Sequence, residues 1–199
     1  MIEVEKKFIL NDDDIKRLTE GAVFLSEKIF TDVYYDTTDY ALTRSDKWLR
    51  SRDGRYELKL PLHSGADRQA DQYDELEDEL KIKEALNFSP DVNLEASMKR
   101  SGCESFCVCK TTRKKYKKDQ FTIDLDYVDY GDFNYSLGEI ELMVNDKPEI
   151  EAAIEKILNF AQDDGLTIGF VRGKVIEYIK RKRPEHYQAL IKNDVIKDF

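Results

Sequence analysis

The stretch Ile2-Glu3-Val4-Glu5-Lys6-Lys7-Phe8 sets how the rest of the chain is read. In an extended strand, residues two apart share a face. Ile2, Val4 and Phe8 then lie on one face, and Glu3, Glu5 and Lys7 on the other. The same alternation recurs along the chain. Trp48, Arg50 and Arg52 share a face opposite Leu49. Glu57 and Lys59 share one opposite Tyr56, Leu58 and Leu60. Asp124 and Asp126 oppose Ile123 and Leu125, and Glu139 and Glu141 oppose Ile140 and Leu142. Each of these strands is apolar on one side and ionic on the other.

A single such strand fits an antiparallel sheet with one wet face. As a set they fit that arrangement poorly. Solvated faces mix in Thr, Ser, Gln and Asn, whereas these pairs are almost purely ionic. Acidic pairs and basic residues also fall on different strands, a complementary arrangement. The alternative is a sheet curled into a barrel with its charged faces inward and helices over its apolar outside. Such an interior is tolerable only if it is wet and if metal ions and an anionic ligand neutralise it.

The remaining pattern supplies the parts. Strand signals cover 2–9, 23–35, 47–52, 55–61, 72–77, 105–117, 121–127 and 138–144. A helix over 12–20 starts at Asn11 or Asp12 and stops near Gly21. Short amphipathic helices fit 78–87 and 91–101. Pro148 opens a strong helix over 148–163 with Ile150, Ile154, Ile157, Leu158 and Ala161 as its stripe. Helices near 170–182 and from Pro184 to about 194 follow. The polar stretch 62–71, with Gly65, reads as a mobile loop. Consecutive strands with helices inserted in the middle and at the end make an α+β pattern.

The chain has 199 residues, enough for one domain, and a net charge of −9. That acidity argues against sequence-independent binding to nucleic acid or an anionic membrane. It permits a small anionic substrate in a basic pocket. The start MIEVEKKFIL places charges where an export signal needs an apolar run, which predicts a cytoplasmic protein. Cys103, Cys107 and Cys109 then read as reduced thiols. With only His63 and His186 in the chain, a Ser-His-Asp device or a multi-histidine zinc site has little to build on.

Clustered carboxylates without His or Cys select a hard, oxygen-loving cation, Mg2+ or Mn2+. Arg and Lys on opposing strands suit phosphate oxygens. Together they are the parts of a phosphoryl-transfer site acting on a polyphosphate. No Walker loop and no G-x-G-x-x-G is present.

I-E-V-E-K-K at 2–7 resembles the E-x-E-x-K signature of the triphosphate tunnel metalloenzymes, the CYTH superfamily. T-D-V-Y-Y-D-T at 31–37, S-D-K-W-L-R-S-R at 45–52 and Y-E-L-K-L-P at 56–61 resemble its thiamine triphosphatase branch. So do T-I-D-L-D at 122–126, G-E-I-E at 138–141 and K-R-P-E-H-Y-Q-A-L at 182–190. The blocks keep the family's order over nearly the whole chain. The resemblance implies a single CYTH domain over 1–199. Its fold would be a closed eight-stranded antiparallel barrel, with helices packed outside and a C-terminal helical segment closing one end. It implies Mg2+-assisted hydrolysis of a triphosphate by water, in a monomer.

By position, the resemblance makes Glu3, Glu5, Asp124, Glu139 and Glu141 metal ligands, with Asp126 a weaker candidate. Lys7, Arg50, Arg52, Lys59, Arg113 and Lys174 become phosphate binders, with Glu139 also facing substrate, and Glu5, Lys7 and Glu141 the catalytic set. Glu75 falls in a family position but also fits a solvated face. Trp48, on the face of Arg50 and Arg52, could stack on the cationic thiazolium of thiamine or belong to the core. Tyr34, Tyr35 and Asp36 read as support for the barrel. The loop 62–71 and the helices at 78–101 match the family poorly, which puts substrate choice in doubt. The Lys-rich stretch 113–118 could favour a longer polyphosphate. An inorganic triphosphatase, a class IV adenylyl cyclase and a non-hydrolytic polyphosphate-binding module are the competing readings.

Overall fold

The computed structural model describes residues 2–198. Eight antiparallel strands close a barrel: β1 (Ile2–Phe8), β2 (Val23–Asp36), β3 (Trp48–Arg52), β4 (Arg55–Pro61), β5 (Asp71–Leu76), β6 (Glu104–Lys118), β7 (Phe121–Asp129) and β8 (Asn134–Val144). Around the barrel they run β1-β5-β4-β3-β2-β6-β7-β8, and β8 returns to β1. Six helices lie outside: α1 (Asp12–Thr19), α2 (Glu79–Ala85), α3 (Leu94–Arg100), α4 (Ile150–Asp163), α5 (Lys174–Lys182) and α6 (Pro184–Lys192). None of the described helices is long and apolar enough to cross a membrane.

The alternation read from the sequence sorts each strand between two environments. Most buried aliphatic residues of the strands point outward, under helices, whereas Tyr34, Trp48 and Tyr73 line the interior. Ile2, Val4, Ile123 and Ile140 pack with Ile150, Ala153, Ile157 and Ala161 of α4. Leu49 and Leu58 pack with Ile82 of α2 and Leu94 and Met98 of α3. Val175 and Ile179 of α5, with Tyr187 and Leu190 of α6, join Tyr34, Trp48, Phe106 and Leu137 at one end of the barrel. Gly138 on β8 is required by this covering. A Cβ there would sit 2.3 Å from Leu10 Cδ1, where the chain crosses from β1 to α1.

Local signals set the helix ends. Asn11 caps α1 by accepting from the Asp14 amide, and the Asp14 side chain accepts from the Asn11 amide. Pro148 sits in a 3-10 turn, Lys147–Glu149, that feeds α4. The helix expected near 170 begins later, at Lys174, because Gly169 and Gly173 break the preceding segment and Gly173 becomes the N-cap. The stretch 62–71, expected to be mobile, is tied down instead. Arg68 donates to Gly65 O, Val195 O and Asp71, and Asp71 itself opens β5.

Candidate active site

The inward-facing residues build one charged cavity of about 220 Å³, room for a ligand rather than a few isolated waters. Ten carboxylates face eight cations in and around it: Glu3, Glu5, Asp32, Glu57, Asp71, Glu75, Asp124, Asp126, Glu139 and Glu141 against Lys7, Arg50, Arg52, Lys59, Arg68, Arg113, Lys115 and Lys174. Strand register decides who meets whom. Glu3, Glu5 and Lys7 of β1 lie across from Tyr73 and Asp71 of β5 and from Glu141 and Glu139 of β8. Arg113 and Lys115 of β6 pair with Asp126 and Asp124 of β7.

The cations are each held by carboxylates. Lys7 Nζ lies 2.5 Å from Glu5 and 2.7 Å from Asp71. Arg50 bridges Glu57 at 2.6 Å and Glu75 at 2.8 Å. Lys59 donates to Glu3. Arg52 donates to Asp32 through two nitrogens, at 2.8 and 3.2 Å. Lys174, at the first turn of α5, enters from outside the barrel wall and lies 2.5 Å from the same Asp32. Gly173, the N-cap of α5, lies against the Lys7 side chain, with a Cβ position 3.2 Å from Lys7 Cε. Arg113 holds Asp126 with two bonds of 2.6 Å, reaches Glu139 at 2.8 Å and also donates to Asp124.

Proton affinities divide the carboxylates into two groups. Burial works against the charge of Asp32, but Lys174 and Arg52 outweigh it and hold the carboxyl well below the usual range. The same balance, set by Lys7 and Arg68, holds Asp71 low. Lys59 and Arg50 lower Glu75, and Arg113 and Lys7 lower Glu139. In the other group burial prevails. Glu3 and Asp124 are raised, and Glu141 is raised well above the ordinary value by burial together with Asp124 and Glu3. Lys7 stays ionised, since Asp71, Glu5 and Glu139 overcome its burial.

The three raised carboxylates, Glu3, Asp124 and Glu141, all belong to groups placed to share a cation. Two triplets have ligand atoms within 4.8 Å of one another, Glu3-Glu5-Glu141 and Asp124-Glu139-Glu141, and Glu141 belongs to both. Asp124 Oδ1 is buried and has no hydrogen-bond partner. Buried polar atoms are normally satisfied, so an orphaned carboxylate oxygen in an all-oxygen cluster fits a hard divalent cation. Asp126 lies outside both triplets; its two oxygens hold Arg113 instead.

Residues 1–167 match the CYTH domain. The chain belongs to the CYTH family. It is 31% identical to proteins named thiamine-triphosphatase from Macaca fascicularis and Homo sapiens, each alignment covering 96% of this chain and 90% of the relative. Among solved structures, a Pyrococcus horikoshii OT3 protein superposes with a TM-score of 0.61 at 25% identity, over 91% of this chain and 99% of that one. A second protein from that organism gives 0.58 at 28% identity, over 83% and 91%.

Within this CYTH chain, Glu3, Glu5, Lys7, Trp48, Arg50, Arg52, Lys59, Arg113, Glu139, Glu141 and Lys174 line the one cavity, as does Glu75. Asp124 and Asp126 are buried in the wall beside them. Sequence reasoning passed over Asp32, Asp71, Lys115 and Tyr73. Parity could have found two of them, since Asp32 shares a face with Tyr34 and Lys115 with Arg113. Asp71 stood just outside the strand expected over 72–77. Trp48 lines the cavity and is itself buried, at 6% exposure.

Proposed function

We propose that this chain is a Mg2+-dependent hydrolase of thiamine triphosphate, releasing thiamine diphosphate and phosphate. The observation that carries the reading is the pair of carboxylate triplets sharing Glu141, set against phosphate-binding cations in one closed lumen. Carboxylates outnumber cations there, and an anionic substrate deepens the deficit. A binding module for anions would have no use for that excess. The substrate's organic end rests on the two thiamine-triphosphatase relatives and on the aromatic wall at Trp48 and Tyr73.

In this mechanism Arg50, Arg52, Lys59, Arg113 and Lys174 turn their N–H groups from carboxylates to phosphate oxygens, the arginines bidentately. Lys7, kept charged by Asp71 and Glu5, meets the terminal phosphate on the side of Glu5 and Glu139. Glu3, Glu5, Asp124, Glu139 and Glu141 would hold Mg2+, with Mn2+ a substitute; bound there, the ion would polarise phosphoryl oxygens and acidify water. Water attacks the terminal phosphorus, and its proton passes to the side of Glu5 and Glu141. The bridging P–O bond breaks, and the diphosphate oxygen takes the electron pair. Trp48 faces the thiazolium.

The catalytic unit is a single domain spanning the whole chain, because Lys174, Val175 and Ile176 of α5 and Ile196 line the cavity from beyond residue 167. We place it in the cytoplasm, acting as a monomer on a small molecule, without nucleic acid or membrane. A second reading, an inorganic triphosphatase, is favoured by the cations themselves, which recognise phosphate and not thiamine. Incubation with Mg2+ and thiamine triphosphate, tripolyphosphate or ATP separates the readings. Thiamine diphosphate and phosphate, lost on chelation, are expected. Preference for tripolyphosphate would favour the second reading, pyrophosphate from ATP would indicate a cyclase, and no turnover would leave a binding module.

A further inference from the structure

Behind the Trp48 wall lies a buried carboxylate that does not itself line the cavity. Asp46 follows the 3-10 turn Thr43–Ser45 with φ 56 and ψ 27, a left-handed conformation that Asp tolerates. Its amide donates to Thr43 O at 2.9 Å, and Lys47 N donates to Leu42 O at 3.0 Å, so the turn is fixed. The residue is 8% exposed. Its Oδ1 accepts from Trp48 Nε1 at 2.7 Å and from the Tyr73 hydroxyl at 2.9 Å. Its Oδ2 lies 2.8 Å from His63 Nε2 and 3.9 Å from Arg68. Arg68 also donates to Val195 O at 3.0 Å, next to Ile196. Trp48, Tyr73, Arg68 and Ile196 all line the cavity, whereas Asp46 does not.

One carboxylate therefore ties β3, β5, the stretch 62–70 and the C-terminal segment into a single wall. The indole has one polar handle, its N–H donor. Pinned at that point, the ring cannot swing, and its position beside the cavity is fixed before any ligand enters. Burial, with Asp71 and Asp46 nearby, pushes the Tyr73 phenol well up, so it stays protonated and remains a donor to Asp46.

We propose that Asp46 is a positioning residue that fixes Trp48 and Tyr73 as a preorganised wall and so sets which organic group can follow a triphosphate into the cavity. A fixed wall loses no freedom on binding, which favours a flat, rigid organic end over a bare phosphate chain. The inference rests on the reading that the substrate carries such an end.

The test uses Trp48 as its own probe, since it is the only Trp in the chain. Asp46→Gly accepts the left-handed backbone and removes both acceptors, whereas Asp46→Asn accepts the same backbone and keeps one. In Asp46→Gly, Trp48 emission should shift to the red and become more open to quenching. Its kcat/KM for thiamine triphosphate should fall about tenfold, mainly through KM, with tripolyphosphate hydrolysis changed by less than about twofold. Asp46→Asn should recover most of both effects. If Asp46→Gly fails to fold, Asp46→Ser is read in its place: its shorter side chain cannot reach both the indole N–H and the phenol, so its emission must shift. Unchanged emission, or equal losses on both substrates, would overturn the proposal. If the wild-type protein hydrolyses tripolyphosphate but not thiamine triphosphate, the substrate reading fails by itself, and the emission of the variants still decides whether Asp46 holds the wall.

Discussion

On β8, residues one apart live in opposite environments. Ile140 is fully buried among Ile2, Val4 and Ile157 on the outside of the barrel. Glu139 and Glu141 turn the other way, toward Arg113 and Lys115. On this strand the outer face is satisfied by what the chain itself supplies, since α4 packs against Ile140 and Val144. The inner face is not, because its carboxylates exceed its cations and Asp124 Oδ1 has no partner. Stability therefore resides on one side of each strand and ligand chemistry on the other. That separation can be attacked from either side.

The largest effect is expected outside. Ile140→Ala should cost about 2–5 kcal/mol by transfer and cavity terms. Urea unfolding should show the loss, while turnover per folded molecule stays close to normal. A catalytic defect without a stability defect would break the separation. From inside, Glu5→Gln removes one anionic oxygen of a triplet and should slow turnover roughly a hundredfold or more, about 3 kcal/mol, with little change in the unfolding midpoint. A chelator should act in the same direction, and Ca2+ should inhibit because its coordination is larger and looser. Near-normal turnover in Glu5→Gln would remove Glu5 from the site.

Trp48 sits where the two environments meet. Trp48→Ala should lower kcat/KM for thiamine triphosphate by about 5- to 30-fold more than for tripolyphosphate, the size of a desolvated cation–π contact. Equal losses, with a lower Tm, would assign Trp48 to packing alone.

Much of this was legible in the sequence. The eight strand signals match the eight strands, because period-two alternation survives wherever one face is apolar. The inward residues of β1, β3, β7 and β8 could be named from parity alone. Lys174 was legible only through the family resemblance, since its helix starts outside the barrel and its partner Asp32 lies on β2, far away in sequence. Asp126 shows the limit of parity, which fixes the face and not the partner; across the β6–β7 register it meets Arg113. The stretch 62–71 looked mobile because its polar residues suggest solvent. Its anchors, Val195 O and Asp46, are far away in sequence.

The smallest expected effect is in the pH dependence of stability, where His186 outside the barrel and Glu141 inside it should show opposite signs. His186 is buried outside the barrel, with Nε2 2.6 Å from Thr43 Oγ1 and Nδ1 without a partner. Burial lowers its pKa from 6.5 to about 4. The unfolded chain takes the proton first, so this contribution is present above pH 6.5 and is lost as pH falls toward 4. Glu141 is the reverse. Its folded carboxyl holds the proton more tightly than the ordinary 4.5, so stability is greatest below that value and is lost as pH rises through the raised one. Melting curves of His186→Gln should lose the decline between pH 6.5 and about 4, and those of Glu141→Gln the decline toward higher pH.

Glu141→Gln also gives the most direct measurement of the central claim, that the lumen's carboxylates serve a metal and a triphosphate rather than the fold. Its Tm without ligand, its Tm with Mg2+ and tripolyphosphate, and its turnover should be measured on one preparation at neutral pH. The ligand-free Tm should equal or exceed that of the wild-type protein, since a buried charge disfavoured by Asp124 and Glu3 has been removed. The rise in Tm on adding ligand should shrink, and turnover should fall roughly a hundredfold or more. A variant that melts lower without ligand while keeping its turnover would contradict the account, because Glu141 would then belong to the fold.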